Sequence, residues 1–205
     1  VFELGRDSYL DFAMKMTGIP YVKLDADIHS KDPAVKAVAK RHRQVAKPGV
    51  LGAIYRLGGG GWGKSKKGDK IKTGLWGYAD AMGVEMSQEQ AGSVVRIFRD
   101  SYPEIPAFWK ILEEAVADVM NPEAVNKIRY VGPNDCVKID KINIEGRHPM
   151  MRMQLPSGRY LHYIDARLEM TKMPWEDCEG NEVYRNTLVY AGMNQDTKQW
   201  QTVTT

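Results

Sequence analysis

The sequence has little of what marks a disulfide-stabilised or membrane protein. Among its 205 residues are two cysteines, Cys136 and Cys178, which match neither a metal-ligand spacing nor a disulfide framework. Such sparing use of cysteine is typical of a reducing compartment, so we expect a cytoplasmic protein. No run of about 18 apolar residues occurs, and we expect neither a membrane-spanning helix nor a membrane partner.

Metal-binding patterns are also missing. The histidines lie too far apart for a metal-ligand motif, and three acidic clusters suit helix caps or solvated surfaces better than a metal site. We therefore predict no metal site in this chain. The histidines are His29, His42, His148 and His162, and the clusters are Asp25/Asp27, Glu113–Glu114 and Glu176–Asp177.

Acidic residues are almost absent from one segment. Residues 36–72 contain eleven Lys and Arg and a single acid, Asp69, so this segment has a net charge of +10. Because the whole chain has a net charge of +3, the remaining residues together carry −7. Solvated surfaces normally interleave both signs, whereas a basic stripe of this density is typical of a surface that contacts phosphate. We expect a phosphorylated small molecule or a nucleic acid as the partner.

Two patterns divide the chain at about residue 125. Before it, capping signals and helical periodicity predict helices beginning at Asp7 or Ser8, at Pro33 and near Ser87. A further helix is predicted over PAFWKILEEAVADVM, whereas the glycines from Gly58 to Gly77 predict a loop with a hairpin-like excursion. After Pro122 the segments IRYV, CVKIDKINI, MMRMQL, RYLHYI, EVYRNTLVYAG and QWQTVTT predict antiparallel strands. The predicted fold is therefore α+β, with a helical region over 1–125 and a β-rich region over 126–205.

Two nucleotide-binding motifs overlap between Arg41 and Ser65. GGGGWGKS, from Gly58, satisfies the P-loop pattern G-x-x-x-x-G-K-[ST] and would imply an NTPase. A P-loop needs a preceding strand and a following helix whose amides hold the phosphates. VLGAIY can supply the strand, but KKGDKIKTG, which follows, has no helical period, so the sequence disfavours this interpretation.

The second motif places two cations and an aromatic residue at helical spacing. Arg43, Lys47, Leu51 and Tyr55 recur every four residues, so the drift across them is about 120° and they form one broad stripe. Such a stripe can grip phosphates and present a ring to a base. Spacing alone favours the other interpretation, a surface helix whose Arg and Lys face water and whose Leu and Tyr enter the core.

The pattern R-x-x-x-K-x-x-x-[F/Y/L]-G-x-x-Y over Arg43–Tyr55 resembles motif B of the family A DNA polymerases, the fingers helix of the DNA polymerase I group. GRDSYLDFA, KTGLWGYADAMGV, FRDSYPEIPAFW and LPSGRYLHY are similar, in this order, to further segments of the phage members. The resemblance covers nearly the whole chain, and it implies fingers followed by part of the palm, in the cytoplasm of a bacterial host if a phage encodes the protein.

The resemblance implies roles for the stripe. Arg43 and Lys47 would contact the phosphates of the incoming deoxynucleotide, and Lys47 would also donate a proton to the leaving pyrophosphate. Leu51 would lie beside the sugar, and Tyr55 would pack at the nascent base pair. Further contacts with DNA or nucleotide are expected from His42, Arg56, Lys64, Lys66 and Lys67.

Three positions depart from the family pattern. Leu51 is not aromatic, which leaves sugar discrimination open, and Arg56 stands where a glycine commonly follows the tyrosine. Pro48 predicts a kink at Ala46–Lys47 or two helical segments.

The catalytic carboxylates of the family are missing. The family holds two Mg²⁺ ions with aspartates of D-x-S-x-x-E and H-D-E, neither of which occurs here. Both ends look cut, so these motifs are expected before Val1 and after Thr205, and we expect Mg²⁺ in the full-length parent and none on this segment. We therefore expect a segment of a DNA-directed DNA polymerase that is inactive alone, with primer–template DNA and deoxynucleoside triphosphates as partners.

A non-catalytic nucleic-acid-binding module is the alternative. In it the basic block of residues 36–72 would grip backbone phosphate alone, through Lys64, Lys66, Lys67 and Lys70. Trp62 and Trp76 lie within or beside this block, and they either stack on nucleic acid or pack the loop onto the helices.

Overall fold

The chain forms helices followed by antiparallel strands in the computed structural model, which describes residues 5–65, 67–123, 127–176, 181–194 and 197–204. This confirms the predicted α+β class. The chain divides into two compact units, Val1–Pro106 and Ala107–Thr205, and each has its own hydrophobic core. The predicted boundary at residues 125/126 lies between the last helix and the first strand of the larger sheet.

The described part of the chain contains six α-helices and eight strands. The helices are α1 (Ser8–Thr17), α2 (Tyr21–Ile28), α3 (Pro33–Ile54), α4 (Gly74–Ala81), α5 (Gln88–Ser101) and α6 (Glu104–Met120). The strands are β1 (Trp62–Lys64), β2 (Lys70–Lys72), β3 (Arg129–Val131), β4 (Val137–Ile142), β5 (Met150–Gln154), β6 (Tyr160–Glu176), β7 (Glu182–Met193) and β8 (Trp200–Thr204).

The predicted capping signals begin three of the helices. The Asp7 side chain accepts hydrogen bonds from two amides of α1, and Asp32 does the same for one amide at the start of α3. Ser87 and Gln90 form a reciprocal capping box at the start of α5. Gly18 ends α1 with a φ of 74°, in the left-handed region that favours glycine.

Helix α3 is longer than predicted and contains Pro48. The prediction of two helical segments is wrong, because one helix continues through Pro48 to Ile54. The alternative, a kink at Ala46–Lys47, stays a prediction. A proline inside a helix costs about 3 kcal/mol. Tertiary packing offsets this cost, since Pro48 and its neighbour Gly49 are both buried in the first unit. The stretch VLGAIY is consequently helical, and the strand that a P-loop requires does not form.

Helices α2 and α4 are absent from the sequence-based prediction. The sequence signal at Pro20 marks the end of the first helix, but Pro20 is also the N-cap of the second. The start of α4 lies inside the predicted glycine loop, because Gly74 and Gly77 argue locally against a helix. A Cβ at Gly77 would lie 2.3 Å from the carbonyl oxygen of Lys72, so tight backbone contact requires a glycine there.

The core of the first unit surrounds the small residues of α3. Large apolar side chains from α1, α2, α4 and α5 fill it, and Phe12 meets Phe98 edge to face with ring centroids 5.7 Å apart. The fully buried large side chains of this core are Leu10, Phe12, Leu24, Leu75 and Phe98.

In the second unit, six described strands form one sheet in the order β3-β4-β5-β6-β7-β8, and each pairs antiparallel with its neighbour. This confirms the predicted meander. Helix α6 packs on one face, where Val119, Ile139 and Met151 are fully buried. Strand β6 continues far beyond the predicted RYLHYI, past a register shift between Ile164 and Arg167.

The close packing of α3 is testable at Gly49. A Cβ there would lie 2.6 Å from Val94 Cγ1 and 2.9 Å from Phe12 Cε1. We expect Gly49→Ala to lower the free energy of unfolding by about 1–3 kcal/mol through overpacking, as measured by urea denaturation. Gly92→Ala in α5 is the matched control, since nothing lies within 4 Å of its Cβ. This control should be neutral or stabilising by up to about 1 kcal/mol, and equal losses in both variants would contradict the packing.

Candidate phosphate-binding site

The predicted stripe occupies the second half of α3 and the residue that ends it. Arg43, Lys47 and Leu51 lie within the helix at intervals of four residues, and Tyr55 is its C-cap. Because each step of four residues advances a helix by about 40° beyond a full turn, the first three share one side. All three are half-buried, whereas Tyr55 is 80% exposed. One helix therefore carries both cations, and the tyrosine ring at its end is open to solvent.

The Arg43 side chain is held by two residues from the start of the chain. Its Nε donates a hydrogen bond of 2.8 Å to Asp7 Oδ2, and its guanidinium carbon lies 5.0 Å from the centre of the Tyr9 ring. Among the described residues, its terminal nitrogens have no hydrogen-bond partner. Arg43 is thus fixed at its Nε edge, and its terminal nitrogens remain available for an anion.

Asp7 uses its two carboxylate oxygens for different partners. Oδ1 accepts hydrogen bonds from the amides of Tyr9 (2.8 Å) and Leu10 (3.2 Å), and Oδ2 accepts the bond from Arg43. Burial alone would raise the pKa of this carboxyl. The hydrogen bonds from Arg43 and the two amides lower it more, so the pKa of Asp7 lies below its ordinary value. The carboxylate therefore stays ionised beside Arg43.

A cleft of about 500 Å³ adjoins this ion pair. Cationic side chains from α3, Lys40 and Arg43, line it together with the carboxylates of Asp7 and Asp25. This volume lies in the range of small-molecule sites. Of the four residues of the stripe, Arg43 alone lines the cleft, so the structure does not gather the whole stripe into one pocket.

Arg56 closes the C-terminus of α3 in a strained conformation. Its amide donates to the Ala53 carbonyl (2.9 Å), and the Leu57 amide donates to the Gly52 carbonyl (3.1 Å). This pair of bonds is a Schellman motif, whose residue after the C-cap adopts the left-handed conformation. Arg56 accordingly has a φ of 64°. The motif explains why glycine suits this position, and it shows that Arg56 is tolerated there at a cost in backbone strain.

The glycine run after α3 serves close packing. A Cβ at Gly60 would lie 1.8 Å from the Thr73 carbonyl oxygen, and one at Gly59 would lie 2.7 Å from Gly92 Cα. The carbonyls of Gly58 and Gly59 accept hydrogen bonds from the amides of residues 75 and 76, in the first turn of α4. Residues 62–64 then form β1, which pairs with β2, instead of the helix that a P-loop needs. The structure excludes the P-loop interpretation on both sides of the motif.

The tryptophans of the basic segment pack against each other. The rings of Trp62 and Trp76 meet edge to face, 4.8 Å apart, and Trp76 Nε1 donates to the Met86 carbonyl. The Lys70 ammonium lies 4.3 Å from the centre of the Trp62 ring. Packing thus accounts for Trp76, whereas Trp62 remains 55% exposed beside a cation.

The remaining predicted contact residues do not converge on Arg43. Lys64 and Lys67 are exposed in the β1–β2 hairpin, and Lys66 lies outside the described residues. His42 is half-buried and lines a separate cleft of about 380 Å³ with Arg41 and Glu85.

The described residues do not form the two-metal site that the resemblance implies for a full-length parent. In the described ranges, no group of three or more His, Cys, Asp or Glu side chains is placed to hold a metal ion. Of the acidic clusters, Asp27 pairs with Lys23 and Glu114 with Lys110. Asp177 lies outside the described residues. None of the described helices combines the length and apolar character needed to cross a membrane.

No protein-family model, curated protein sequence or solved structure matches this chain. The resemblance to the family A polymerases therefore stays a prediction from sequence motifs. Sequence reasoning identified Asp7 as a helix cap but missed its pairing with Arg43 and the contact of Tyr9 with the same side chain. No local signal indicates such pairing between residues 36 positions apart.

The Asp7–Arg43 ion pair predicts a pH-dependent contribution to stability. Asp7→Asn keeps the cap but loses the ion pair, so we expect it to lower the free energy of unfolding at pH 7 by less than about 1 kcal/mol. Because the folded pKa of Asp7 lies below its unfolded value, this contribution is present above roughly pH 4 and is lost as the pH falls through the folded pKa. Urea denaturation from pH 7 to pH 3 measures it, with Asp32→Asn at the cap of α3 as control. A deficit that does not shrink in acid would contradict the pairing.

The strain at Arg56 predicts that glycine stabilises the protein. We expect Arg56→Gly to be more stable than Arg56→Ala by about 1 kcal/mol, because only glycine adopts a positive φ without strain. Both variants lose the arginine side chain, so the difference between their urea midpoints isolates the backbone contribution. Equal midpoints would show that the left-handed conformation is not strained.

Proposed function

We propose that this chain is a segment of a family A DNA polymerase and that α3 binds the incoming deoxynucleoside triphosphate. One observation supports this most directly. Two stretches that independently resemble the family, GRDSYLDFA and motif B, lie against each other through the contacts of Arg43 with Asp7 and Tyr9. A chance match to motif B would not require this contact between residues 36 positions apart.

The two cations would divide the triphosphate between them. Arg43, fixed at its Nε by Asp7, presents a planar fork that suits two phosphate oxygens. Lys47 lies one turn further along the same helix, and its ammonium supplies a point charge and a proton for the leaving pyrophosphate. Asp7 contacts only the Nε of Arg43, so a phosphate can bind the terminal nitrogens while the carboxylate stays in place.

The end of α3 would meet the sugar and the base. Leu51 follows Lys47 by one further turn, and the ring of Tyr55 is exposed where the helix stops. An exposed, flat ring at this point suits packing against a base pair. Because the family's motifs D-x-S-x-x-E and H-D-E do not occur in this sequence, we propose that this segment binds the nucleotide and does not transfer it alone.

The β1–β2 hairpin favours the alternative, a nucleic-acid-binding module without catalysis. Lys64, Lys67 and Lys70 are exposed on this hairpin, and Trp62 is exposed beside Lys70. Cations around an open ring are typical of surfaces that grip a nucleic-acid backbone. In this interpretation the sugar–phosphate backbone is the ligand, and free deoxynucleotide is not bound.

Matched lysine variants separate these functions. We expect Lys47→Ala to weaken the binding of a deoxynucleoside triphosphate at least about tenfold, because a charge-assisted contact with phosphate is lost. Lys64→Ala, in the exposed hairpin, should change the same affinity less than about twofold. Isothermal titration calorimetry with the purified protein and each of the four deoxynucleoside triphosphates measures both.

Three outcomes would count against deoxynucleotide binding by α3. They are equal losses of affinity in the two variants, no binding of any deoxynucleotide by the unmutated protein, and deoxynucleotide binding that Lys47→Ala leaves intact. The alternative function instead predicts DNA binding that falls steeply with salt, that deoxynucleotide does not displace, and that declines evenly over Lys64, Lys67 and Lys70.

A further inference from the structure

The sheet of the second unit has two faces of different chemistry. On one face, Val131, Ile139 and Met151 are buried in the core that includes α6. Strand alternation turns every second residue of β3–β6 to the opposite face, where aromatic, charged and polar side chains predominate. These residues are Tyr130, Lys138, Asp140, Arg152, Gln154, Tyr160 and His162, and the cross-strand pair Ile142 and Met150 on the same face is apolar.

The strand register arranges this face in two rows. Tyr130 pairs with Lys138, Lys138 with Gln154, and Gln154 with Tyr160, which places a tyrosine at each end of one row. Neighbouring strands lie about 4.8 Å apart, so the two tyrosines are separated by roughly 14 Å. The second row consists of Asp140, Arg152 and His162.

Salt bridges fix the cations of this face. Arg152 donates from Nε and Nη2 to the two carboxylate oxygens of Asp140, at 2.7 and 2.9 Å, and Lys138 Nζ lies 3.2 Å from Oδ2. Asp140 is only 6% exposed. Two cations therefore share one carboxylate, and the trio keeps a net charge of +1. This arrangement holds positive charge at the surface with little freedom to move.

Aromatic rings surround these cations and remain accessible. The guanidinium of Arg152 lies 5.1 Å from the centre of the Tyr160 ring, and the rings of Tyr160 and His162 are 6.1 Å apart. Tyr130 is 54% and Tyr160 37% exposed. The two rings lie at opposite ends of one row and are open to solvent, so they can serve as stacking surfaces.

We propose that this face binds single-stranded nucleic acid. Unpaired bases stack on Tyr130 and on the Tyr160–His162 pair, and the intervening backbone phosphates lie against Lys138 and Arg152. Stacking on aromatic rings combined with fixed cations is the general mode of single-strand recognition, and it needs unpaired bases. The roughly 14 Å between the rings suits a few extended nucleotides. The site belongs to the second unit, and the proposal does not depend on deoxynucleotide binding by α3.

Fluorescence anisotropy with a labelled twelve-nucleotide oligothymidylate tests the proposal. We expect Tyr130→Ala and Tyr160→Ala each to weaken binding roughly tenfold. Tyr130→Phe and Tyr160→Phe keep the ring, so we expect them to bind as the unmutated protein does. Lys138→Ala should weaken binding and reduce its salt dependence. Tyr184→Ala removes another exposed tyrosine, on β7, and is the matched control expected to bind normally.

Several results would overturn this assignment. They are no binding at low salt, Ala and Phe variants that are equally weak, and duplex binding as tight as single-strand binding. If Trp62→Ala loses binding while Tyr130→Ala and Tyr160→Ala bind normally, the oligonucleotide binds the β1–β2 hairpin instead. Comparing the affinity for oligouridylate with that for oligothymidylate shows whether the face prefers RNA or DNA. The oligonucleotides carry no triphosphate, so failure here is distinguishable from failure of deoxynucleotide binding at α3.

Discussion

The first unit depends on how closely its helices approach α3. Every buried residue of this helix is compact, and none carries a side chain larger than proline: Ala39, Ala46, Pro48, Gly49, Gly52 and Ala53. Val94 and Phe12 occupy the space next to Gly49, and Leu75 and Tyr78 do so next to Gly52. The long side chains of α3 are thereby confined to its other sides, where Arg43 and Lys47 lie. Close packing on one side of the helix therefore determines where its charges are displayed.

Local signals predicted the elements whose ends depend on nearby residues. The caps at Asp7, Asp32 and Ser87 are satisfied within three residues, and the meander follows from alternating strands joined by short turns. Prediction failed where close packing in the folded chain overrode local preference. Pro48 continues a helix because it is buried, and Gly77 lies inside α4 because the backbone of Lys72 lies against it.

The sequence predicted which residues of the candidate site share one helix, but it did not predict which side chains surround them. Arg43, Lys47 and Leu51 share one side of α3 because residues four apart on a helix are offset by only about 40°. The carboxylate beside Arg43 and the ring beneath it come from residues 7 and 9, a contact that only the folded chain brings about. Likewise, the polar face of the larger sheet depends on strand register, and a shift of one residue would have turned Tyr130 and Tyr160 inward.

The two carboxylate oxygens of Asp7 have different partners, which matters when Arg43 changes its own partner. One oxygen accepts hydrogen bonds from backbone amides of α1 and the other accepts one from Arg43, so capping and ion pairing use different atoms. An anion that draws Arg43 away releases only the second oxygen to water, while the first keeps the helix capped. The arginine can thus change partners while Asp7 continues to cap α1.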